Sequence, residues 1–207
     1  MSFGTYERKV RDPSLAHGQR FNALVGCVER YGPIGFHATF GYLEHVAGPL
    51  RRDEAALLRA MDALSSSRAL WLIQSARYAE QRRAAKRLGR RTPPAREPDT
   101  CSPWYGDERN AALYALEFLL APTERRRREP TVDAAVLQLA SALLERGHLR
   151  AAEIDRARLL RDEFRRLRQS SGWPDVDWPN WHRANDSLRV LRLIEHAEAG
   201  DRLTVSR

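Results

Sequence analysis

Residues 53–88 read DEAALLRAMDALSSSRALWLIQSARYAEQRRAAKRL, and this stretch indicates the fold class more clearly than any other part of the chain. Leucine and methionine recur in its first part at intervals of three and four residues, which is the spacing of one face of an α-helix. Asp53 stands where the N-cap of such a helix belongs. We therefore predict one helix from Asp53 to Leu64, a break at Ser65–Ser67, and a longer helix from about Ser67 to Leu88.

The same spacing recurs along the rest of the chain, between glycine, proline or polar capping residues. Further helical stripes span Phe21–Val28, Phe36–Ala47, Leu113–Leu120, Val132–Leu143, Ile154–Leu167 and Asn185–Ala199. No segment alternates apolar and polar residues as a half-buried strand does. The sequence therefore predicts an all-α fold of about eight helices.

Four prolines interrupt residues 93–106, and this segment has no apolar period. We interpret it as a linker between two small bundles: an N-terminal helical bundle, residues 1–92, with a basic C-terminal helix, and a C-terminal helical bundle, residues 107–207. A chain of 207 residues buries enough surface to fold without a disulfide or a metal.

The composition excludes several classes of protein. An apolar fraction of 43% with 30% charged residues excludes wholesale disorder. No apolar run approaches the roughly 20 residues that span a membrane, and the polar segment Met1–Arg11 holds no apolar signal core. Cys27 and Cys101 are too few for a disulfide framework or a four-thiolate metal site. We expect a cytoplasmic protein that does not engage the membrane.

The net charge of +8 is concentrated in one window. From Arg77 to Arg96, eight basic residues stand against Glu80 alone, which is a local charge of +7. Such a patch on a near-neutral body is typical of a polyanion-binding protein, because guanidinium groups match pairs of phosphate oxygens. The alternative interpretation is a solvated helix end followed by a linker. The residues that we predict to contact RNA or DNA backbone are Arg77, Arg82, Arg83, Lys86, Arg87, Arg90 and Arg91.

Motifs of the common enzyme classes are missing from the sequence. There is no glycine-rich phosphate loop, no dinucleotide-binding glycine motif, no nucleophile elbow and no HExxH zinc motif. The six histidines are scattered along the chain. We therefore predict a protein that is not an enzyme, with no catalytic residues, no cofactor and no bound metal.

Residues 172–182 read GWPDVDWPNWH and hold three of the five tryptophans. We predict that these rings pack an irregular connection onto the helical core, each burying about 150–250 Å². Two alternatives remain open: the aspartates and the histidine as metal ligands or acid–base groups, and the tryptophans as stacking surfaces for bases. The residues concerned are Trp173, Trp178, Trp181, Asp175, Asp177 and His182.

Residues 31–42, YGPIGFHATFGY, are rich in aromatic residues and glycine. We predict that Phe36 and Phe40 lie in the core. An exposed aromatic stripe at this place would instead mark a surface for a partner protein.

Residues 144–158, LERGHLRAAEIDRAR, predict two helices joined at Gly147, which stands where the C′ glycine of a helix belongs. We interpret them as two antiparallel helices of a bundle. The alternative is a DNA-reading helix-turn-helix, whose second helix would present Arg150, Glu153, Arg156 and Arg158 to the duplex.

The turn Asp177-Trp178-Pro179 enters a final helix and follows an arginine-rich helix, Arg156 to Arg168. In these features, and in being a basic, all-helical chain of this size, the protein resembles the small helical subunit of Cascade-type CRISPR effector complexes. The turn and the arginine-rich helix cover about a sixth of the chain. The resemblance implies several copies along a crRNA-bearing backbone, arginines that contact the target or displaced strand, and no catalysis.

Charge and pattern together predict a non-enzymatic, nucleic-acid-binding subunit of a larger ribonucleoprotein assembly, with other protein subunits as partners. Two alternatives stand beside it. One is a helical interaction or regulatory module whose basic patch meets an acidic protein. The other is a helix-turn-helix regulator that binds duplex DNA as a two-fold dimer.

Overall fold

The computed structural model describes residues 1–90, 107–121, 132–170 and 177–204, and the side chains of these residues as far as 199. The described residues form eight α-helices and no strand, so the all-α prediction is confirmed. The helices are α1 (Phe3–Arg11), α2 (His17–Arg30), α3 (Phe36–Ala47), α4 (Glu54–Arg87), α5 (Glu108–Leu120), α6 (Ala134–Arg146), α7 (Ala151–Ser170) and α8 (Trp178–Thr204).

The chain divides into two compact units, Met1–Asp107 and Glu108–Arg207. Helices α1 to α4 belong to the first unit and α5 to α8 to the second. The predicted linker, residues 93–106, lies outside the described residues. No helix of the described residues is both long enough and apolar enough to cross a bilayer.

Helix α1 was not predicted, because the segment Met1–Arg11 looks polar in sequence. Ser2 caps this helix, and its hydroxyl accepts a hydrogen bond from the backbone N–H of Thr5 at 3.3 Å. Phe3 and Val10 are buried. They are seven residues apart and so lie on one face, which is enough to pack a charged helix onto the core.

The predicted break at Ser65–Ser67 is wrong, because α4 runs without interruption over 34 residues. Serine favours helix breaks when its hydroxyl competes for backbone hydrogen bonds. In α4 two of the three hydroxyls have tertiary partners instead. Ser65 donates to Glu7 Oε1 at 2.7 Å, and the buried Ser67 shares a hydrogen bond of 2.9 Å with the Tyr31 hydroxyl.

The core of the first unit lies where α1, α2 and α3 pack against the N-terminal half of α4. Asp53 caps α4 as predicted, accepting a hydrogen bond from the N–H of Ala55 at 2.8 Å. Among the residues of this unit that the structure describes, 1–90 and 107, one charged side chain is buried: Arg20 of α2 is 3% exposed. Its Nε donates to the Val10 carbonyl at 2.7 Å, and its Nη1 pairs with Glu54 at 2.6 Å, so it joins α2 to α1 and α4. The largest fully buried side chains of the unit are Val10, Leu24, Val28, Leu43, Leu50, Leu57, Met61 and Leu64.

Gly26 allows α1 to approach α2 closely. A Cβ atom at this position would lie 2.7 Å from the ring of Tyr6. We expect Gly26→Ala to lower the free energy of unfolding by about 1–3 kcal/mol, because the ring must move out of its packed position. Denaturation with urea, followed by circular dichroism, measures this loss.

Gly18→Ala is the matched control in the same helix, since nothing lies within 4 Å of a Cβ atom there. It should leave stability unchanged or raise it by at most about 1 kcal/mol. Equal losses for the two variants would show that close packing at Gly26 is not the cause.

Helix α8 is the centre of the second unit and packs against α5, α6 and α7. It begins at Trp178, seven residues before the predicted start at Asn185. Asp177 makes this earlier start possible, because its carboxylate accepts a hydrogen bond from the backbone N–H of Asn180 at 3.3 Å. Pro179 is tolerated because the first turn of a helix leaves its N–H groups without intrahelical partners.

Local sequence signals account for both ends of α6, and the predicted end at Gly147 is confirmed. Asp133 caps its start and accepts from the N–H of Ala135 at 2.9 Å. Gly147 ends it in the left-handed conformation, with φ of 76°. Arg109 of α5 donates to the carbonyl oxygens of Gly147 and Ala197 at 2.7 and 2.6 Å, which ties α5 to the end of α6 and to α8.

Candidate nucleic-acid interface

The C-terminal half of α4 is far more exposed than its N-terminal half. Buried positions recur along α4 as far as Ser67. In the rest of this helix Ala85 alone is buried. Six of the seven residues predicted to contact nucleic acid lie in this part of the chain. All six are exposed. Arg91 lies outside the described residues.

Helix geometry separates the six basic residues into one stripe and one outlier. Successive residues of a helix are turned by about 100° about its axis. Four side chains of α4 therefore fall within an arc of about 140°: Arg82, Arg83, Lys86 and Arg87. Arg77 lies about 150° from the centre of that arc, on the other side of the helix. Arg90 follows the last helical residue by three positions. The basic stripe, as the name is used below, consists of Arg82, Arg83, Lys86, Arg87 and Arg90.

No residue of the basic stripe forms an ion pair within the described part of the chain. Arg83 donates through Nε to the Ala79 carbonyl at 3.3 Å, which leaves its terminal nitrogens available. Glu80 is the single acidic residue between positions 77 and 90. Together with Arg83, Lys86 and Arg87 it borders a surface concavity of about 600 Å³. The stripe therefore presents positive charge that the described residues do not neutralise.

The arginines of α7 show the opposite arrangement. Arg158 pairs with Asp155 at 2.9 Å, and Arg165 lies 3.7 Å from Asp162. Arg161 pairs with Glu195 of α8. Although both helices are rich in arginine, the acidic partners of α7 compensate much of its charge locally.

The helix dipole accounts for part of the charge at the end of α4. Lys86 and Arg87 lie in its last turn, where cations are stabilised by about 0.3–1 kcal/mol each. Arg82 and Arg83 lie further from the end, where this effect has faded. Helix stability alone therefore does not account for the whole stripe.

An exposed apolar surface precedes the basic stripe on the same helix. Leu70, Leu72 and Ile73 are 45%, 41% and 49% exposed. Trp71 is half-buried and packs against the Tyr31 ring, with centroids 5.7 Å apart. In the sequence Leu70 and Ile73 look like the apolar start of a helix, so their exposure is visible only in the structure.

The prediction that the tryptophan-rich segment packs into the core is wrong for Trp178, which is 57% exposed. Its ring lies 5.9 Å from the rings of Trp181 and His182, and Trp181 is half-buried. Asp177 and His182 are exposed, and Asp177 is occupied as the cap of α8. Trp173 and Asp175 lie outside the described residues. In the described ranges no three histidine, cysteine or acidic side chains are grouped so that they could hold a metal.

The core prediction for the aromatic segment of α3 is also wrong in part. Phe36 is 38% exposed, whereas Phe40 is half-buried and packs edge-on against Phe21 at 5.5 Å. The apolar spacing identified the helix correctly. It did not show how much of that face the neighbouring helices cover.

The turn between α6 and α7 is held by Glu153. Its carboxylate accepts a hydrogen bond from the N–H of Arg150 at 2.8 Å and pairs with Arg146 at 2.5 Å. The backbone hydrogen bond from Arg150 and the contact with Arg146 hold the pKa of Glu153 below its usual range. Glu153 therefore serves the helical hairpin itself, rather than standing free to contact a duplex.

Comparison of the chain with protein-family models, with curated proteins and with solved structures finds no match. The resemblance to the small subunit of Cascade-type complexes therefore stays a prediction. The geometry of the basic stripe carries the functional proposal instead.

Proposed function

We propose that this protein binds the backbone of nucleic acid, independently of base sequence, through the basic stripe of α4. The observation that carries the proposal is the presence of five exposed cations at one end of a helix, with no ion pair among the described residues. Such a stripe displaces counterions from phosphates when it binds, and this release supplies most of the affinity of non-specific complexes.

Nucleic acid fits the stripe better than an acidic protein does. Four of its five residues are arginines, Lys86 being the exception. A guanidinium fork binds the paired oxygens of a carboxylate or a phosphate equally well, but nucleic acid also offers exposed bases on which the guanidinium stacks. From Arg82 to Arg87 the helix rises by about 7.5 Å, so the charges concentrate on a short length of backbone.

The dependence of affinity on salt tests the proposal. Fluorescence anisotropy would be measured with labelled single-stranded RNA, single-stranded DNA and duplex DNA of mixed sequence, between 50 and 200 mM salt. If all five cations contact phosphates, the slope of log K against log salt should be about −3.5 for single strands and −4.5 for duplex DNA. Binding to unrelated base sequences should be equal within about a factor of three, because phosphate contacts carry no sequence information.

Polyglutamate of the same length is the control ligand. It carries a comparable negative charge without phosphate groups, so we expect it to compete weakly. Polyglutamate that competes as well as RNA would favour an acidic protein partner instead. Absence of binding to all three nucleic acids at 50 mM salt would refute the proposal.

The exposed apolar side chains of α4 favour a second role, contact with another protein. We propose that Leu70, Leu72 and Ile73 contact a further subunit of a ribonucleoprotein assembly, of which this protein is a non-catalytic component. Exposed apolar groups of this size next to a charged stripe are typical of interaction surfaces.

Native purification, with and without nuclease treatment, separates the two roles. Partners that remain bound after nuclease digestion, and are lost in the double variant Leu70→Ser with Ile73→Ser, are held by the apolar surface. Partners that leave with the digested nucleic acid are held by it alone. A chain that purifies without nucleic acid and without partners would contradict the assembly role.

A further inference from the structure

The exposed part of α4 carries a second surface beside the basic stripe. Five exposed side chains fall within an arc of about 80° on this helix, because successive residues are turned by about 100°. The centre of the arc lies about 130° from the centre of the basic stripe, so the two surfaces are separate. The α4 seam, as the name is used below, consists of Leu70, Ile73, Arg77, Glu80 and Ala84.

The residues of the α4 seam are spaced as in a two-stranded coiled coil. From Leu70 to Ala84 the intervals are three, four, three and four residues, an average of 3.5. A surface with this period stays on one side of two helices that wind around each other, at the positions called a and d. Three of the five positions are apolar, as such a contact requires.

Arg77 and Glu80 place charges at the two remaining positions of the seam. They are three residues apart on α4, yet neither forms an ion pair in the described part of the chain. A polar residue at an a or d position weakens a coiled coil but fixes its register, because it has to meet a matching group. The two charges therefore restrict which partner helix the seam accepts.

A second copy of the same seam supplies the matching charges in one orientation. In a parallel pair a aligns with a and d with d, so Arg77 would face Arg77 and Glu80 would face Glu80. Like charges at such distances repel. In an antiparallel pair, with the two-fold axis between residues 78 and 79, each Arg77 faces Glu80 of the other copy. The seam is thus self-complementary when it is antiparallel.

The same register also matches the flanking positions by size. It places Ile73 opposite Ala84, a large side chain against a small one. Leu70 lies opposite Arg87, whose aliphatic stem can cover it while the guanidinium stays in water. The packed half of α4 ends at Ser67, about 17 Å along the helix from the two-fold axis, so the partner helix need not displace the helices of the first unit.

We propose that the α4 seam binds the α4 seam of a second copy of this chain, antiparallel, with Arg77 of each copy against Glu80 of the other. The inference rests on the contact role proposed above for the exposed apolar side chains of α4, and it identifies the further subunit as a second copy. It does not depend on the binding of nucleic acid, because the basic stripe lies on another side of the helix.

Sedimentation velocity of the full chain, treated with nuclease and measured over a range of micromolar concentrations, tests the pairing. We expect the wild type to form a dimer. Arg77→Glu and Glu80→Arg should each raise the dissociation constant at least about tenfold, because each places like charges together at two symmetric positions. An equimolar mixture of the two variants should dimerise again, since every charged contact between them joins an arginine to a glutamate.

Arg82→Glu is the matched control. It makes the same change of charge on the same helix, about 160° from the centre of the seam, and should change the dissociation constant by no more than about threefold. Circular dichroism checks that each variant is folded. An equal loss of dimer in Arg82→Glu and Arg77→Glu, or a mixture of the two seam variants that stays monomeric, would overturn the proposal.

The wild type also separates this inference from the contact role on which it rests. A wild type that stays monomeric refutes the second copy as the partner. If that monomer still retains another protein after nuclease digestion, the contact role of the apolar side chains stands and the partner is a different chain. If it retains none, the contact role fails together with the pairing.

Discussion

Replacing Arg83, Arg87 and Arg90 together with glutamate should reduce the affinity for single-stranded RNA at least about a hundredfold at 100 mM salt. Three of the five charges of the basic stripe are then reversed. The new carboxylates repel the phosphates and also pair with the two cations that remain. The loss should be the same for RNA and DNA of any base sequence, because phosphates are the groups contacted. Gel shift and anisotropy titration measure it.

Reversing the charge of three arginines elsewhere on the protein separates the effect of the basic stripe from that of the net charge. Arg8, Arg156 and Arg166 are exposed residues of α1 and α7, and their replacement by glutamate changes the net charge by the same amount. We expect this control to weaken binding by no more than about threefold. A comparable loss in both triple variants would mean that net charge, and not the stripe, attracts nucleic acid.

A single reversal at Arg77 checks the geometry of the stripe. This residue carries the same charge as its neighbours but lies on the other side of α4. Arg77→Glu should therefore weaken binding about two- to threefold, less than Arg87→Glu does. A larger loss for Arg77→Glu would place the contact surface on a different face of the helix.

Replacing Arg20 with methionine should lower the free energy of unfolding by about 3 kcal/mol. The variant preserves much of the side-chain volume, so the effect comes from lost hydrogen bonds and not from a cavity. The carbonyl of Val10, a residue that is itself buried, loses its donor at 2.7 Å, and α2 loses its link to Glu54. Urea denaturation of the full chain, followed by circular dichroism, measures the change.

Glu54→Gln is the matched control for Arg20→Met. The Glu54 side chain is 60% exposed, and the amide keeps an acceptor oxygen for Arg20. We expect its cost to stay below about 1 kcal/mol, because exposed partners contribute little. If both variants cost the same small amount, the buried hydrogen bond to Val10 would not be the stabilising contact.

The triple variant of the basic stripe and the Arg20 variant change arginines that look alike in the sequence. The composition counts Arg20, Arg83 and Arg109 equally toward the charge of +8. In the structure Arg20 and Arg109 bond to backbone carbonyls of other helices, whereas Arg83 is exposed and bonds only within its own helix. The window of charge was visible in the sequence, because charge density is a local property. The structural roles of Arg20 and Arg109 were not, because their partners lie 10 to 88 residues away.

For the apolar residues, too, the sequence predicts less than the structure shows. The spacing of aromatic and aliphatic residues identified α3 and α8, yet Phe36 and Trp178 proved to be exposed. Periodicity shows which residues share a face. It does not show how far a neighbouring helix extends over that face, which depends on contacts between segments distant in sequence.

The amino-acid sequence alone determined the helical class, the cap at Asp53, the end of α6 at Gly147 and the window of positive charge. The cap and the helix end depend on residues within about one helical turn, and the helical class and the charge window depend on stretches of at most about 20 residues. Only the tertiary structure decided that α4 passes through Ser65–Ser67, that its basic end is exposed and unpaired among the described residues, and that Arg20 and Arg109 join neighbouring helices. These features depend on which distant side chains contact a helix. The spacing of residues along the chain does not predict those contacts or their free energy.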